Sequence, residues 1–296
     1  MDISHITTTD ITNIGDPFVL RVGDTYYLYA TSFSDGFDCR TSGDLTHWSE
    51  PHKAYRIGER SFGYTDFWAP EVVFHNGRYL MHYTARRRGD DTLLIGVAVS
   101  DRPEGPFVDV TNGPMFDFGY AAIDGHVFSD GTDHYLFYSR DCSQNVVNGR
   151  RESHIYAVRL DDSLTRTVGD PVLIASPDHP WETASEDPRW NEGPFVVKRE
   201  GLYYLMYSAG FYAGPTYSLG YAVATQPLGP YIKAEGNPFL YSQGKISGPG
   251  HNCVVTAKDG TDYCVFHVHT DPAHPGPDRR MCFCPISIGG GVIRQI

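Results

Sequence analysis

The sequence predicts an all-β fold, a five-bladed β-propeller, on three observations. Short runs of Val, Tyr, Phe, Ile and Leu bounded by Gly, Asp, Asn and Pro fill the chain, with no heptads and few amphipathic helical stretches. The 296 residues include 31 Gly and 20 Pro, which suit turns, and 20 Tyr, 16 Phe and 4 Trp, which suit strands. Five strand–turn–strand units look alike and recur about 50 to 70 residues apart. A β-sandwich also has short strands but gives no reason for five similar hairpins. Small sheets repeated around an axis do. No low-complexity linker interrupts the chain, so residues 1–296 read as a single propeller domain.

The first unit is Asp16-Pro17-Phe18-Val19-Leu20, a turn at Gly23-Asp24, then Tyr26-Tyr27-Leu28-Tyr29-Ala30. The second runs from Trp68-Ala69-Pro70-Glu71 through Asn76-Gly77 to Tyr79-Leu80-Met81-His82-Tyr83. The third joins Asp124-Gly125-His126-Val127-Phe128 through Asp130-Gly131 to Tyr135-Leu136-Phe137-Tyr138. The fourth joins Glu192-Gly193-Pro194-Phe195 through Glu200-Gly201 to Tyr203-Tyr204-Leu205-Met206. The fifth joins His251-Asn252-Cys253-Val254 through Asp259-Gly260 to Tyr263-Cys264-Val265-Phe266. Gly at each turn matches the tight connections that hairpins prefer. A third strand follows in several units, over residues 93–100, 154–160 and 219–225.

In a propeller the innermost strands face the central channel, so matching positions of different blades converge at one mouth. With the units registered on Tyr27, Tyr79, Tyr135, Tyr204 and Tyr263, the residues eleven or twelve earlier are Asp16, Trp68, Asp124, Glu192 and His251. Singly, each has an ordinary explanation: Asp16 before Pro17 starts turns, and Asp124-Gly125 is a turn dipeptide. The shared register singles them out. Three neighbouring carboxylates repel and shift one another's pKa, an arrangement that a core built only for stability would avoid. Two carboxylates flanking an acetal are the usual means of glycoside hydrolysis: one protonates the leaving oxygen while the other activates water or attacks the sugar. A third can raise the acid's pKa. Trp68 offers a flat wall for a sugar ring. Neither Gly-x-Ser-x-Gly nor a phosphate-binding Walker sequence occurs.

Lys and Arg number 24 against 36 Asp and Glu, a formal charge of −12. That balance argues against nucleic-acid and anionic-membrane partners and leaves a neutral oligosaccharide open. No apolar run approaches the roughly 18 residues of a membrane span. The N-terminus has neither the basic nor the apolar region of a secretory signal, so a cytoplasmic location with reduced thiols is the expectation. Four of the six Cys follow residue 250, near His267 and His269. No Cys-x-x-Cys pair marks zinc there, and Cys282 and Cys284 alternate like small buried hydrophobes on one sheet face.

Asp16-Pro17, Trp68-Ala69-Pro70-Glu71, Ile123-Asp124-Gly125, Asn191-Glu192-Gly193-Pro194 and Gly248-Pro249-Gly250-His251-Asn252 resemble, in order and spacing from about residue 12 to 290, glycoside hydrolase family 43. The resemblance implies a five-bladed propeller that hydrolyses arabinofuranosides and β-xylosides with inversion. It implies Asp16 as general base, Glu192 as general acid and Asp124 as the residue that tunes and orients the acid. It further implies Trp68 and Phe33 as walls for the sugar, with Arg279 or Arg280 on its hydroxyls. His251 matches a pocket-base His that in many members helps to hold calcium through water; no cofactor is otherwise required. Glu182, Glu186 and Asp187 lie close to Glu192 but miss the register. Gly125 stands where Pro is frequent. Gly-Asp-Pro-Phe and Glu-Gly differ from the motifs of the related fructan-cleaving propellers. Arg86-Arg87-Arg88 suggests a phosphate site, as in propeller phosphorylases, or more simply an exposed loop. The expectation is an exo-acting enzyme that releases L-arabinofuranose or D-xylose from short plant-derived oligosaccharides, with residues 210–215 as a wall. The alternatives are an endo-arabinanase or galactosidase of the same family, or a propeller that only binds carbohydrate or a protein partner. Oligomeric state is left open.

Overall fold

A computed structural model describes residues 1–31 and 35–296. The strands form five antiparallel blades in chain order. Blade 1 holds Gly15–Val22, Thr25–Thr31, Gly36–Ser42 and His52–Arg56. Blade 2 holds Gly63–His75, Arg78–Arg87, Leu93–Ser100 and the short Val108–Asp109. Blade 3 holds Ala122–Asp130, Asp133–Arg140, Arg150–Leu160 and Thr167–Ala175. Blade 4 holds Arg189–Arg199, Leu202–Ala209, Ser218–Ala224 and Ile232–Lys233, and a short parallel pairing of Glu152 and Ser153 with Arg189 and Trp190 links it to blade 3. Blade 5 is closed by both chain ends: Gly250–Thr256, Asp262–His269 and Arg279–Gly289 are flanked by Thr7–Thr12 and Val292–Gln295. The five predicted hairpins are all present, with the aromatic second strand paired to the inner one in each.

The second strands read as near-continuous apolar runs because each is covered on both faces. In Leu202–Ala209, Tyr203, Leu205 and Tyr207 pack against Phe128 and Phe137 of blade 3. The alternate residues Tyr204 and Met206 pack against Cys264, Phe266 and Cys282 of blade 5. Side-chain alternation along a strand therefore feeds two inter-blade cores. All six cysteines are free thiols, and Cys264, Cys282 and Cys284 are buried in the blade 4–5 core.

Every inner strand carries a bulge at the same depth, where the pairing register slips. The bulged residues are Asp16, Ala69, Asp124, Gly193 and His251, with φ of 49°, 44°, 57°, 59° and 46°. A bulge leaves a backbone N–H without its ladder partner, and here the neighbouring blade supplies one. Ala69 N–H donates to Thr31 Oγ1 (2.8 Å), Asp124 N–H to Thr84 Oγ1 (3.0 Å), Gly193 N–H to Ser139 Oγ (3.2 Å) and His251 N–H to Ser208 Oγ (2.7 Å). Asp16 N–H closes the circle on His267 Nδ1 (3.1 Å). Pro17, Pro70 and Pro194 follow the bulged residue in three blades, where lacking an N–H costs no ladder bond. At Gly125 a Cβ would meet Ile95 Cγ2 at 3.1 Å, so the crowding of blade 2 explains Gly in place of Pro.

The ring corrects the register read from the Tyr residues. Ala69 and Gly193, not Trp68 and Glu192, occupy the positions of Asp16, Asp124 and His251. Tyr79 pairs one step nearer its turn than Tyr27 does, and Tyr204 lies eleven residues after Gly193. Trp68 and Glu192 sit one residue before the bulge, and they still reach the mouth because the inner strand presents both positions there.

Glu182 has a separate, structural role. Lys233 Nζ, from the outer strand of blade 4, donates to Ser176 O (2.7 Å), Asp178 Oδ1 (2.6 Å) and Glu182 Oε2 (2.7 Å), and Tyr207 O–H donates to Glu182 Oε1 (2.6 Å). Glu182 is 1 % exposed, so its charge depends on that ammonium. Lys233→Met should cost about 3–5 kcal/mol in denaturant unfolding by leaving a buried carboxylate unpaired. Adding Glu182→Gln should recover most of the loss. Additive losses would contradict the pairing.

Candidate active site

Asp16, Trp68, Asp124, Glu192 and His251 line a single cavity of about 220 Å³, together with Thr31, Ile123, Asp141, Trp190, Tyr212, Tyr217 and Arg279. The bulges turn the side chains of Asp16, Asp124 and His251 to this mouth. The hydroxyls that stitch the blades also anchor the acids. Thr31 O–H donates to Asp16 Oδ2 as well as accepting from Ala69, and Ser139 O–H donates to Asp124 Oδ2 at 3.2 Å. Asp124 Oδ2 also accepts from Gly193 N–H at 3.1 Å, so the residue after Glu192 is tied directly to Asp124.

The acids differ in electrostatic state. Burial alone would raise the pKa of Asp16, but Arg279, His251 and His267 together outweigh it and hold the carboxyl well below its ordinary range. Asp16 Oδ1 lies 3.2 Å from Arg279 Nη1, 3.3 Å from His251 Nδ1 and 3.6 Å from His267 Nδ1. Burial drives Asp124 up to about 6, with His251 opposing and Asp16 adding to the shift. Burial, then the neighbouring Asp124 charge, raises Glu192 well above the carboxylate range. Tyr217 O–H donates to Glu192 Oε1 at 2.9 Å, which leaves Oε2 to carry the proton. The mouth therefore holds two carboxyls shifted in opposite directions, Asp16 toward its ionised form and Glu192 toward its protonated form.

Arg279 and Arg280 are separated by strand alternation. Arg279 shares a face with Met281 and Phe283, in the core toward blade 1, whereas Arg280 shares one with Cys282 and Cys284, in the core toward blade 4. Arg279 enters the cavity through space left by Gly15, where a Cβ would fall 2.0 Å from its Nη2. The expectation for Arg280 is thus corrected: it does not line the cavity. Phe33 lies outside the described residues. Asp187 pairs with Arg151 on the surface. Arg86 pairs with Asp66, and Arg87 with Asp90 and Asp117, so these two guanidiniums are already neutralised in the way of a loop charge run.

Tyr217, Trp190 and Asp141 escaped the sequence reading. Gly250 was the available signal for Tyr217: a Cβ there would sit 1.9 Å from the ring. Trp190 lies two residues before Glu192 and so on the same strand face. Its ring packs on Phe211 (5.6 Å between centroids), and Phe211 on Tyr212 (5.1 Å), while Arg279 lies over Tyr212 at 5.0 Å. Residues 210–215, the expected wall, supply Tyr212 to the cavity lining. His269 Nε2 contacts Tyr212 O at 2.9 Å and steadies that loop.

The family model for glycosyl hydrolases family 43 matches residues 11–292. The chain belongs to glycosyl hydrolase family 43. It is a glycoside hydrolase, so the reading of a binding-only propeller gives way. A solved thermostable family-43 glycoside hydrolase superposes with a TM-score of 0.93 at 44% identity, covering 97% of this chain and 94% of that one. The β-D-galactofuranosidase xynD of Aspergillus niger is 28% identical over 88% of this chain and 78% of its own. The extracellular exo-α-(1→5)-L-arabinofuranosidase ArbA of Cellvibrio japonicus is 26% identical over 87% of this chain and 79% of its own.

The family resemblance also implied calcium near His251. Calcium takes six to eight oxygen ligands. Among the described residues, the carboxylate oxygen paired with His251 is Asp16 Oδ1, and it already bears the Arg279 guanidinium. No set of three His, Cys, Asp or Glu ligand atoms among the described residues converges there. These residues do not themselves form a calcium shell.

Proposed function

We propose that the protein is an inverting, exo-acting α-L-arabinofuranosidase that trims short neutral oligosaccharides, with Asp16 as general base and Glu192 as general acid. The feature that carries this reading is the opposed pKa shift of two carboxyls lining one cavity, Asp16 down and Glu192 up. A water between Asp16 and the sugar attacks the anomeric carbon and gives its proton to Asp16. The glycosidic C–O bond breaks, and Glu192 Oε2 delivers its proton to the departing oxygen. Inversion needs the two carboxyl groups about 6.5–9.5 Å apart, so that this water fits. Solvent exchange then returns the base and acid to their starting states.

Two features support the finer specificity. The relatives named above are a galactofuranosidase and an arabinofuranosidase, and β-D-galactofuranose has the ring configuration of α-L-arabinofuranose with one further carbon. The Trp190–Phe211–Tyr212 aromatic cluster walls one side of the mouth, which suits a chain end better than a chain passing through. A panel of aryl α-L-arabinofuranoside, β-D-galactofuranoside and β-D-xyloside tests the reading. The arabinofuranoside should give the highest kcat/KM, with the inverted anomer appearing first by proton NMR. Preference for the xyloside, or a retained anomer, would overturn it.

Asp124→Asn tests the tuning. Removing the Asp124 charge removes a cause that raises Glu192, so Glu192 should lose its proton at lower pH. The alkaline limb of kcat/KM should therefore move down by about one pH unit or more. An unmoved limb would separate Asp124 from the acid.

A further inference from the structure

The inner strand Gly63–His75 starts beside the cavity and ends seven residues past Trp68, roughly 20 Å away at the opposite face of the propeller. There the turn of blade 2 meets blade 3. We propose that His75, His134 and Asp162 form a binding site for a borderline divalent transition-metal ion such as Zn²⁺, stapling blade 2 to blade 3. Their ligand atoms all lie within 4.8 Å of one another. His75 Nε2 and His134 Nε2 are each 3.7 Å from Asp162 Oδ1, and the two rings meet edge to face at 5.0 Å. Zinc bonds of about 2.0–2.1 Å at tetrahedral angles put ligand atoms roughly 3.4 Å apart, so a small contraction completes the set.

Two further features favour a metal over a chance cluster. His134 is buried, and its Nδ1 is held by Ser129 Oγ at 2.8 Å, the outer-partner contact that orients a ligating imidazole and leaves Nε2 free to face Asp162. Among the described residues, Asp162 has no Lys or Arg ion-pair partner; Asn76 Nδ2 donates to its Oδ2 at 3.2 Å. Two imidazoles and one carboxylate suit zinc, nickel, cobalt or copper rather than calcium or magnesium. His75 Nε2 contacts the Asp162 carbonyl at 2.6 Å and Asn76 Nδ2 at 3.0 Å, so binding requires that imidazole to carry its hydrogen on Nδ1 and exchange both contacts for the metal.

The test titrates Zn²⁺ into chelator-treated full-length protein and into the Asp162→Ala and His75→Gln variants, by calorimetry and thermal melting. Co²⁺ absorption in the visible provides a second probe. One equivalent should bind the wild type with micromolar or tighter Kd, raising Tm by several degrees at about 100 times Kd. Each variant should bind at least about tenfold more weakly, lose the Tm shift and keep its metal-free Tm and glycosidase rate. Equal binding by all three proteins, or no binding at about 100 µM Zn²⁺, would overturn the proposal.

Discussion

Glu192→Gln is expected to lower turnover of natural glycosides by about 10²–10⁴, the usual worth of a positioned general acid. The loss should shrink sharply for aryl glycosides with very good leaving groups, which depart without a proton. Equal loss on both substrate classes would remove Glu192 from the acid role. The same change has a stability signature. Native Glu192 holds its proton to higher pH than an unfolded Glu does. Wild-type stability therefore falls as pH rises from the ordinary Glu range through the raised native pKa. Gln has no proton to lose, so the Tm advantage of Glu192→Gln should widen across that window. A Tm difference independent of pH would contradict the raised pKa.

Asp16→Asn should cost a similar factor, about 10²–10⁴, but evenly across leaving groups, because every substrate needs the activated water. It should also destabilise the fold by about 3–5 kcal/mol, since Arg279 is 5 % exposed and would lose its carboxylate. Asn retains an oxygen for the Thr31 hydroxyl, which separates loss of charge from loss of shape. Near-normal turnover in a folded Asp16→Asn variant would remove the base assignment.

How much of this could be read beforehand follows from what each signal encodes. The five hairpins were legible because Gly-containing turns and paired aromatic strands are local features. Asp16, Asp124 and Glu192 stood out because chemistry-bearing residues recur at matched depth in separate blades. The offset at Trp68 and Glu192 was hidden: a bulge adds one residue to a strand without changing residue type, and Ala69 adopts positive φ without being Gly. Arg279 could have been separated from Arg280 by its parity with Met281 and Phe283, had the inter-blade cores been assigned. Tyr217 and Asp141 reach the cavity from loops and strand ends outside the repeated motif, so nothing in the repeat points to them. The closure of blade 5 by Thr7–Thr12 pairs residues more than 260 positions apart, as Thr12 with Arg280, and carries no local signature.

Carbon-13 NMR of the side-chain carboxyls, titrated in wild type and assigned with the Asp16→Asn and Glu192→Gln variants, tests the opposed protonation states most directly. Glu192 should remain protonated well above the usual carboxylate range, while Asp16 stays ionised down to the lowest pH at which the protein is folded. Ordinary titration of both near pH 4, or the reverse order, would contradict the account.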